Sequence, residues 1–450
     1  MKKIKILVAI FSVSLTLSCT KYLDAVPDSA LTIPQTYFDF QQMLENEKMF
    51  TSAPALGELG TDDIALTDDI IASRAGLFLN GYIYAKEIFG GLKNSDWNSA
   101  YEKIYYANIV LEGLEKIKDH DIAKNDFNLL RGWALFCRAH AFYDLQEVFG
   151  QPYRPASANN DIGIPLRLTS NLNEVAGRAT VAVTYQQIVK DLEESIQLLP
   201  GEVSKINRSK PSKSAAYALL ARVYLIMQEY NKSLNAAENS LNLYKSLIDY
   251  NVLNTTIRQP FSPIIDEILY HSLQTVYLPV NCTMDSKLYD TYSNNDLRKV
   301  LFFSLEVATN RPAFKGYYSG SSIAYNGICT DEVYLIRSEC YARLNESQKA
   351  LDDLNTLLVK RYKTGLYVPY TIANTTNILQ LVLNERRKEC VLRNLRWPDL
   401  RRLNQDQRFA KTITHAYKGI NYQLAPNDPK YVYPIPDDEI RVNGIAQNIR

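Results

Sequence analysis

Ser212-Lys-Ser-Ala-Ala-Tyr217-Ala-Leu-Leu220-Ala221-Arg-Val-Tyr224-Leu-Ile-Met-Gln228-Glu-Tyr-Asn-Lys232-Ser233-Leu-Asn-Ala-Ala237-Glu-Asn-Ser240-Leu-Asn-Leu-Tyr-Lys-Ser-Leu247 is the stretch on which the fold turns. It reads as two helices back to back, Ser212 to Gln228 and Lys232 to Leu247. In the first, Tyr217, Leu220, Ala221 and Tyr224 recur at threes and fours and share one face. In the second, Ser233, Ala237 and Ser240 are small. A tyrosine followed nine positions later by a small residue, as Tyr224 is by Ser233, lets two helices approach closely. The same spacing returns where Tyr341 precedes Ala350 by nine residues, with Tyr334, Leu354 and Leu357 around the pair.

Two hairpins with one internal spacing predict a tetratricopeptide-like array. Upstream, Trp97, Tyr101, Ile104, Tyr105, Asn108, Leu111 and Leu114 mark an amphipathic helix starting at Ser95. Another runs from about Phe127 to Phe149 on Leu130, Trp133, Ala134, Cys137, Ala141 and Leu145, and Gly150 and Pro152 stop it. Thr184 is expected to cap a helix ending at Leu199, and an opening helix spans Thr36 to Phe50. Tyr250 to Cys329 has a different texture, rich in Asn, Ser, Thr, Pro and Tyr, with Ile268–Tyr277 and Val300–Ala308 as short strands or buried pieces. Long irregular segments in a compact body tend to be functional, and so many aromatics argue against disorder. The fold class is therefore all-α, a tetratricopeptide-like helical repeat body with an irregular, aromatic-rich capping insert. The chain divides into a signal peptide (1–18), a lipidated tether (19–35), an N-terminal helical repeat part (36–249), a ligand-facing insert (250–330), and a C-terminal repeat hairpin with closing segment (331–450).

The leader assignment rests on Lys2, Lys3 and Lys5, the apolar run Ile6 to Leu17, and Ser18 before Cys19. A small residue directly before a cysteine at the end of such a run points to lipoprotein processing with Cys19 acylated. Losing the leader takes the formal net charge from +1 to −2, a near-neutral balance that argues against a nucleic-acid partner. No later stretch has the length of a membrane span, so membrane attachment is expected through the lipid alone. Cys137, Cys282, Cys329, Cys340 and Cys390 have neither disulfide-framework nor zinc spacing, although Cys282 and Cys329 could pair in an oxidising compartment.

No Gly-rich phosphate loop, nucleophile elbow or zinc-type His-Glu pair occurs, and His120, His140, His271 and His415 are mutually distant. An enzyme is not expected, nor any cofactor or metal. What the chain offers is aromatic surface, with 31 tyrosines. Tyrosine presents an apolar face, a polar tip and few rotors, which suits sugar or peptide binding at small entropic cost. The candidate ligand residues are Tyr82, Trp97, Tyr277, Tyr289, Tyr292, Tyr317, Tyr318 and Tyr325.

The C-terminal third carries Asn384-Glu-Arg-Arg-Lys-Glu-Cys-Val-Leu-Arg-Asn-Leu-Arg-Trp-Pro-Asp-Leu-Arg-Arg402 and Tyr431-Val-Tyr-Pro-Ile-Pro-Asp-Asp-Glu-Ile440, followed by Asn443 and Asn448. Earlier come Cys19 to Asp24, Gly57-Glu58-Leu59 with Asp62-Asp63, and Trp97 with Tyr101, Ile104 and Asn108. In this order the segments resemble the SusD/RagB family of outer-membrane nutrient-binding lipoproteins. The resemblance implies a lid on a SusC-like TonB-dependent outer-membrane channel, anchored at the cell surface and capturing a polysaccharide or oligosaccharide. A peptide-binding lid, or a ligand-free repeat scaffold, is the alternative. Two departures stand out: Arg393-Asn394 occupies the place of a Glu-Gly pair, which puts one expected ion pair in question, and Pro398 is expected to end or kink the helix near Trp397. The Arg- and Glu-rich run itself reads as a charge network tying the last helices to the repeat body.

Overall fold

The computed structural model describes residues 34–74, 76–117, 123–280 and 282–450, so the leader, Cys19 and most of the expected tether lie outside the described residues. The longer helices are α1 (Tyr37–Glu45), α2 (Ser95–Ile117), α3 (Lys124–Phe149), α4 (Val181–Leu198), α5 (Lys213–Ile226), α6 (Tyr230–Leu243), α7 (Thr330–Arg343), α8 (Ser347–Leu358), α9 (Ile378–Glu389) and α10 (Arg396–Leu403). From α2 to α6 each packs on the next, and α7 packs on α6, α8 and α9. The result is the helical repeat body read from the sequence.

The two quoted hairpins are built alike at equivalent positions. Gln228 (φ 63°) and Asn345 (φ 64°) turn the chain through the left-handed region, so that Glu229 N–H donates to Tyr224 O at 2.9 Å and Glu346 N–H to Tyr341 O at 2.8 Å. Lys232 then lies over the Tyr224 ring and Lys349 over the Tyr341 ring. Serine hydroxyls seal the close approach: in the first hairpin Ser214 and Ser240 donate to each other's carbonyl at 3.0 and 2.9 Å, and each hairpin has one further bond, from opposite partners. Ser233 of α6 donates to Ala221 O at 2.8 Å, whereas Ser338 of α7 donates to Ala350 O at 2.7 Å. Only small residues at both places let a hydroxyl reach the facing backbone.

Two boundaries differ from expectation. Thr180, in extended backbone, caps α4 by accepting from Val183 N–H, and Thr184 sits buried one turn in, donating to Thr180 O at 2.9 Å. Both threonines can satisfy a local backbone group, and the upstream one does so where the helix starts. The second helix of the quoted stretch runs Tyr230–Leu243 because the left-handed turn at Gln228 starts it early and extended Tyr244 ends it.

Because α6 packs directly on α7, the whole stretch from Tyr244 to Cys329 leaves the array and returns. Its described residues hold only short elements, among them the antiparallel pairs Phe303–Leu305 with Pro312–Phe314 and Ile268–Tyr270 with Ile328–Cys329. Tyr250, Phe261, Phe302, Phe303, Phe314 and Tyr318 are buried together and extend the core of the helical body into this segment.

Buried charge fastens this segment to the body. Arg298 donates to Asp296 (2.7 Å), Glu385 (2.6 Å) and Glu389 (2.9 Å), and Arg361 to Glu267 (2.8 Å) and Glu389 (2.6 Å). Taking a guanidinium out of water costs several kcal/mol unless its donors are met, and here several carboxylates meet them. Burial pushes the Glu339 carboxyl up, but Arg402 and Arg343 outweigh it and hold it at about 2. Arg386 pairs with Asp399 at 2.8 Å instead of its helix neighbour Glu389, and Arg396 reaches Asp62 at 2.7 Å. At the first departure, Arg393 finds Asp331 at 2.6 Å, and Asn394 takes the left-handed conformation (φ 59°) that asparagine tolerates. Pro398 does not break a helix: α10 begins at Arg396, so the proline falls in the first turn, where its missing N–H would have no intrahelical partner. The five described cysteines are free and buried, so Cys282 and Cys329 do not pair; the Cys329 thiol points to the Tyr325 hydroxyl.

Candidate functional site

The short helix Leu56–Gly60 and the start of α2 form the base beneath the outer face of the insert. Asp96, buried near the start of α2, accepts from Ala55 N–H (2.7 Å) and Leu56 N–H (2.8 Å) through one oxygen. Its other oxygen accepts from the Tyr277 hydroxyl at 3.0 Å. Burial pushes the Asp96 carboxyl up to about 6 against the pull of these donors. Asn94 donates to the Tyr277 hydroxyl at 3.3 Å and Arg74 to the Tyr277 carbonyl at 3.1 Å, so this half-buried residue is held at its hydroxyl and at its backbone.

Beside Tyr277 a small cavity of about 20 Å³ lies between Glu58, Gln274, Thr275 and Tyr317. Through Tyr317 and Ser322 it adjoins an open groove of about 330 Å³ whose walls include Thr256, Ile257, Arg258, Gln259, Val280 and Lys315. Tyr317 stands edge-on to Phe314 at 4.9 Å. Lys315 is tied to Thr255 O at 2.8 Å, and burial lowers the pKa of its ammonium. Arg258 is exposed and makes no ion pair among the described residues. Ile257, Val276 and Val280 expose their methyl groups around the rim. The groove therefore combines one tyrosine, Tyr317, with an amide, hydroxyls, methyl groups and a free guanidinium, and Tyr277 stands in the small cavity next to it. No aspartate or glutamate is among the described residues lining it, nor do three potential metal ligands converge among them anywhere.

Of the eight aromatic residues singled out, the structure brings Tyr277 and Tyr317 together on this face. Four are corrected to core residues. Tyr82 stacks on His415 at 4.1 Å and accepts from Leu66 N–H. Tyr292 donates to Lys388 O at 2.7 Å, Tyr325 to Tyr270 O at 2.7 Å, and Tyr318 bonds Tyr250, Glu267 and Asp331. All four are at most 2% exposed and present no face to a ligand. A buried phenol needs a partner for its hydroxyl, and an irregular insert needs large rings to fill it. Tyr289 is half-buried away from the groove, packed on Phe303 with Lys299 over its ring. Trp97 is buried between Tyr101 and Phe149, outside the groove. Sequence reasoning missed Thr256, Arg258, Gln259 and Lys315, for which a polar stretch without periodicity carries no local signal.

Comparison with known proteins agrees with this architecture. Residues 21–225 match a family described as "Starch-binding associating with outer membrane" (SusD-like), and residues 316–449 match the SusD family. The curated SusD-like protein P2 of Formosa agariphila is 24% identical over 422 residues, covering 79% of each chain. A SusD superfamily protein from Bacteroides thetaiotaomicron superposes with a TM-score of 0.74 at 22% identity, covering 92% of this chain and 100% of that one. Surface glycan-binding protein A from Bacteroides fluxus superposes with a TM-score of 0.70 at 15% identity, covering 92% and 99%. The helical repeat fold is that of the SusD superfamily structures. The chain belongs to the SusD/RagB family.

Proposed function

We propose that the chain is a lipid-anchored, cell-surface glycan-binding protein that holds a polysaccharide or oligosaccharide on the insert face for a SusC-like TonB-dependent outer-membrane channel. The groove lined by Tyr317, Arg258 and Gln259, with Tyr277 in the small cavity beside it, carries this reading. It presents ring edges and hydrogen-bonding groups of both kinds, which match the alternating faces and hydroxyls of a sugar. Hydrolysis of a glycosidic bond needs two flanking carboxylates, and the groove is lined by hydroxyls, an amide and cations instead. Shallow sites of this kind bind in the micromolar to millimolar range, which suits a protein that must release its ligand to a partner. Cys19, behind the basic and apolar leader, is the residue proposed to carry the lipid; no described helix is long and apolar enough to cross a bilayer. The exposed methyl groups of Ile257, Val276 and Val280 favour a peptide as the second reading.

Calorimetry of the soluble chain lacking residues 1–19 against polysaccharide and peptide panels tests the proposal. Heat and retention with one polysaccharide class support it. Binding to peptides alone transfers the groove to the second reading, and no binding at all leaves the scaffold alternative.

A further inference from the structure

A second cavity, of about 460 Å³, lies between α2, the loop after Pro165 and the C-terminal residues Glu439 to Ile445. It shares no lining residue with the groove or with the small cavity beside Tyr277. Its walls are strapped from behind. The Tyr101 hydroxyl donates to Pro165 O at 2.8 Å, and Asn108 donates to Arg167 O and Thr169 O at 3.0 Å each. Asn108 is itself fixed by Arg138 at 2.9 Å, and Ser170 N–H donates to Glu112 at 2.7 Å. On the far wall Asn443 donates to Glu439 at 2.7 Å. The loop is thus bound to α2 through its backbone, while side chains facing the space are left without partners. The Tyr105 hydroxyl, the Asn98 amide and the Arg167 guanidinium make no hydrogen bond or ion pair among the described residues. Half-buried Tyr101, backed at 4.8 Å by the buried Trp97 ring, supplies the apolar floor.

We infer that this cavity is a second saccharide site, sized for two or three sugar units and separate from the insert groove. Its volume falls inside the range of about 300–1,000 Å³ typical of ligand sites, and it combines ring surface with unspent donors and acceptors on a pre-formed frame. Neither a metal nor a nucleotide fits as well: the described residues bring no metal-ligand cluster together, and the walls pair one guanidinium with two carboxylates, Glu102 and Glu439. A polysaccharide engaging both sites would gain apparent affinity without any new contact, provided its chain spans the distance between them. The inference rests on the proposed function for the class of ligand alone; the cavity and its straps stand by themselves.

The test is saturation-transfer NMR of the chain lacking residues 1–19 with maltotriose, cellotriose, xylotriose, mannotriose and laminaritriose. Three proteins are compared: the native sequence, the cavity variant Asn98→Ala/Tyr105→Ala, and the groove variant Arg258→Ala/Gln259→Ala. Because all four replaced side chains are at least partly exposed, melting temperatures within about 2 °C of native are expected. At least one trisaccharide is expected to keep its signal with the groove variant and lose it about fivefold or more with the cavity variant, and Arg167→Ala is expected to repeat that loss. Signals unchanged by both cavity substitutions, or absent with every trisaccharide, overturn the inference. Failure of the proposed function reads differently, as loss of polysaccharide binding by neither variant or as no polysaccharide binding at all.

Discussion

Glu58 shows how much of this family's motif chemistry is spent inside. Its carboxyl lies buried under the groove, accepts from Asn394 N–H at 2.6 Å through one oxygen and leaves the other unpartnered. Burial, with Asp63 nearby, pushes its pKa up to about 8. Folding therefore takes up a proton between the ordinary carboxylate range and pH 8, so this group makes stability fall as pH rises through that window. Glu58→Gln keeps the acceptor and removes the titration. Relative to the variant, the native chain is expected to lose about 1 kcal/mol per pH unit between pH 5 and 8 and to level off above, as read from urea unfolding. The glycines flanking Glu58 are equally committed: a Cβ on Gly57 would stand 2.6 Å from Trp397, which is 1% exposed and has nowhere to retreat. Gly57→Ala is expected to cost about 1–3 kcal/mol in the same measurement. At this scale the sequence was legible as motif but not as role. Tyr82, Tyr292, Tyr318 and Tyr325 read as candidate binders because nothing local tells a tyrosine whose hydroxyl meets a buried carbonyl from one that meets a sugar.

Among the elements, the hairpins were the most readable, and for a physical reason. Tyr224 with Ser233, and Tyr341 with Ala350, are local pairs whose spacing is set by one helical turn and one short connection. The turn residues Gln228 and Asn345 and the lysines over the two rings repeat with them. The destination of each arginine was not readable, because Arg361 reaches Glu267 and Arg396 reaches Asp62 across chain separations that no periodicity encodes. The network they form sets an expectation at the same scale. Arg298→Met leaves Asp296, Glu385 and Glu389 with Lys388 and Arg361 as their remaining cations. A loss of about 3–5 kcal/mol is expected, the usual cost of removing one partner of a buried ion pair, with a matching fall in melting temperature. Arg298→Lys retains charge but not the planar fork, and is expected to fall between the two.

For the whole molecule, the proposed function assigns ligand binding to the insert. Leaving between α6 and α7, it extends the common core with its aromatic side chains, is held by buried ion pairs, and offers one face bearing Tyr277, Tyr317, Arg258 and Gln259. That division sorts the tyrosines by the property each substitution should change. Tyr318→Ala is expected to lower the melting temperature by several degrees, since it removes a buried ring and leaves the Tyr250 hydroxyl and one oxygen of Glu267 without a partner. Substitutions on the groove are expected to leave stability nearly alone. The measurement that bears most directly on the central claim is affinity electrophoresis of the chain lacking residues 1–19, beside Arg258→Ala/Gln259→Ala/Tyr317→Phe, through gels containing each polysaccharide of the panel. The account expects one polysaccharide class to retard the native chain and the triple variant to lose at least tenfold in affinity, with circular dichroism melts unchanged. Retardation that is equal for native and variant chains would show that the insert groove is not where this protein holds its glycan.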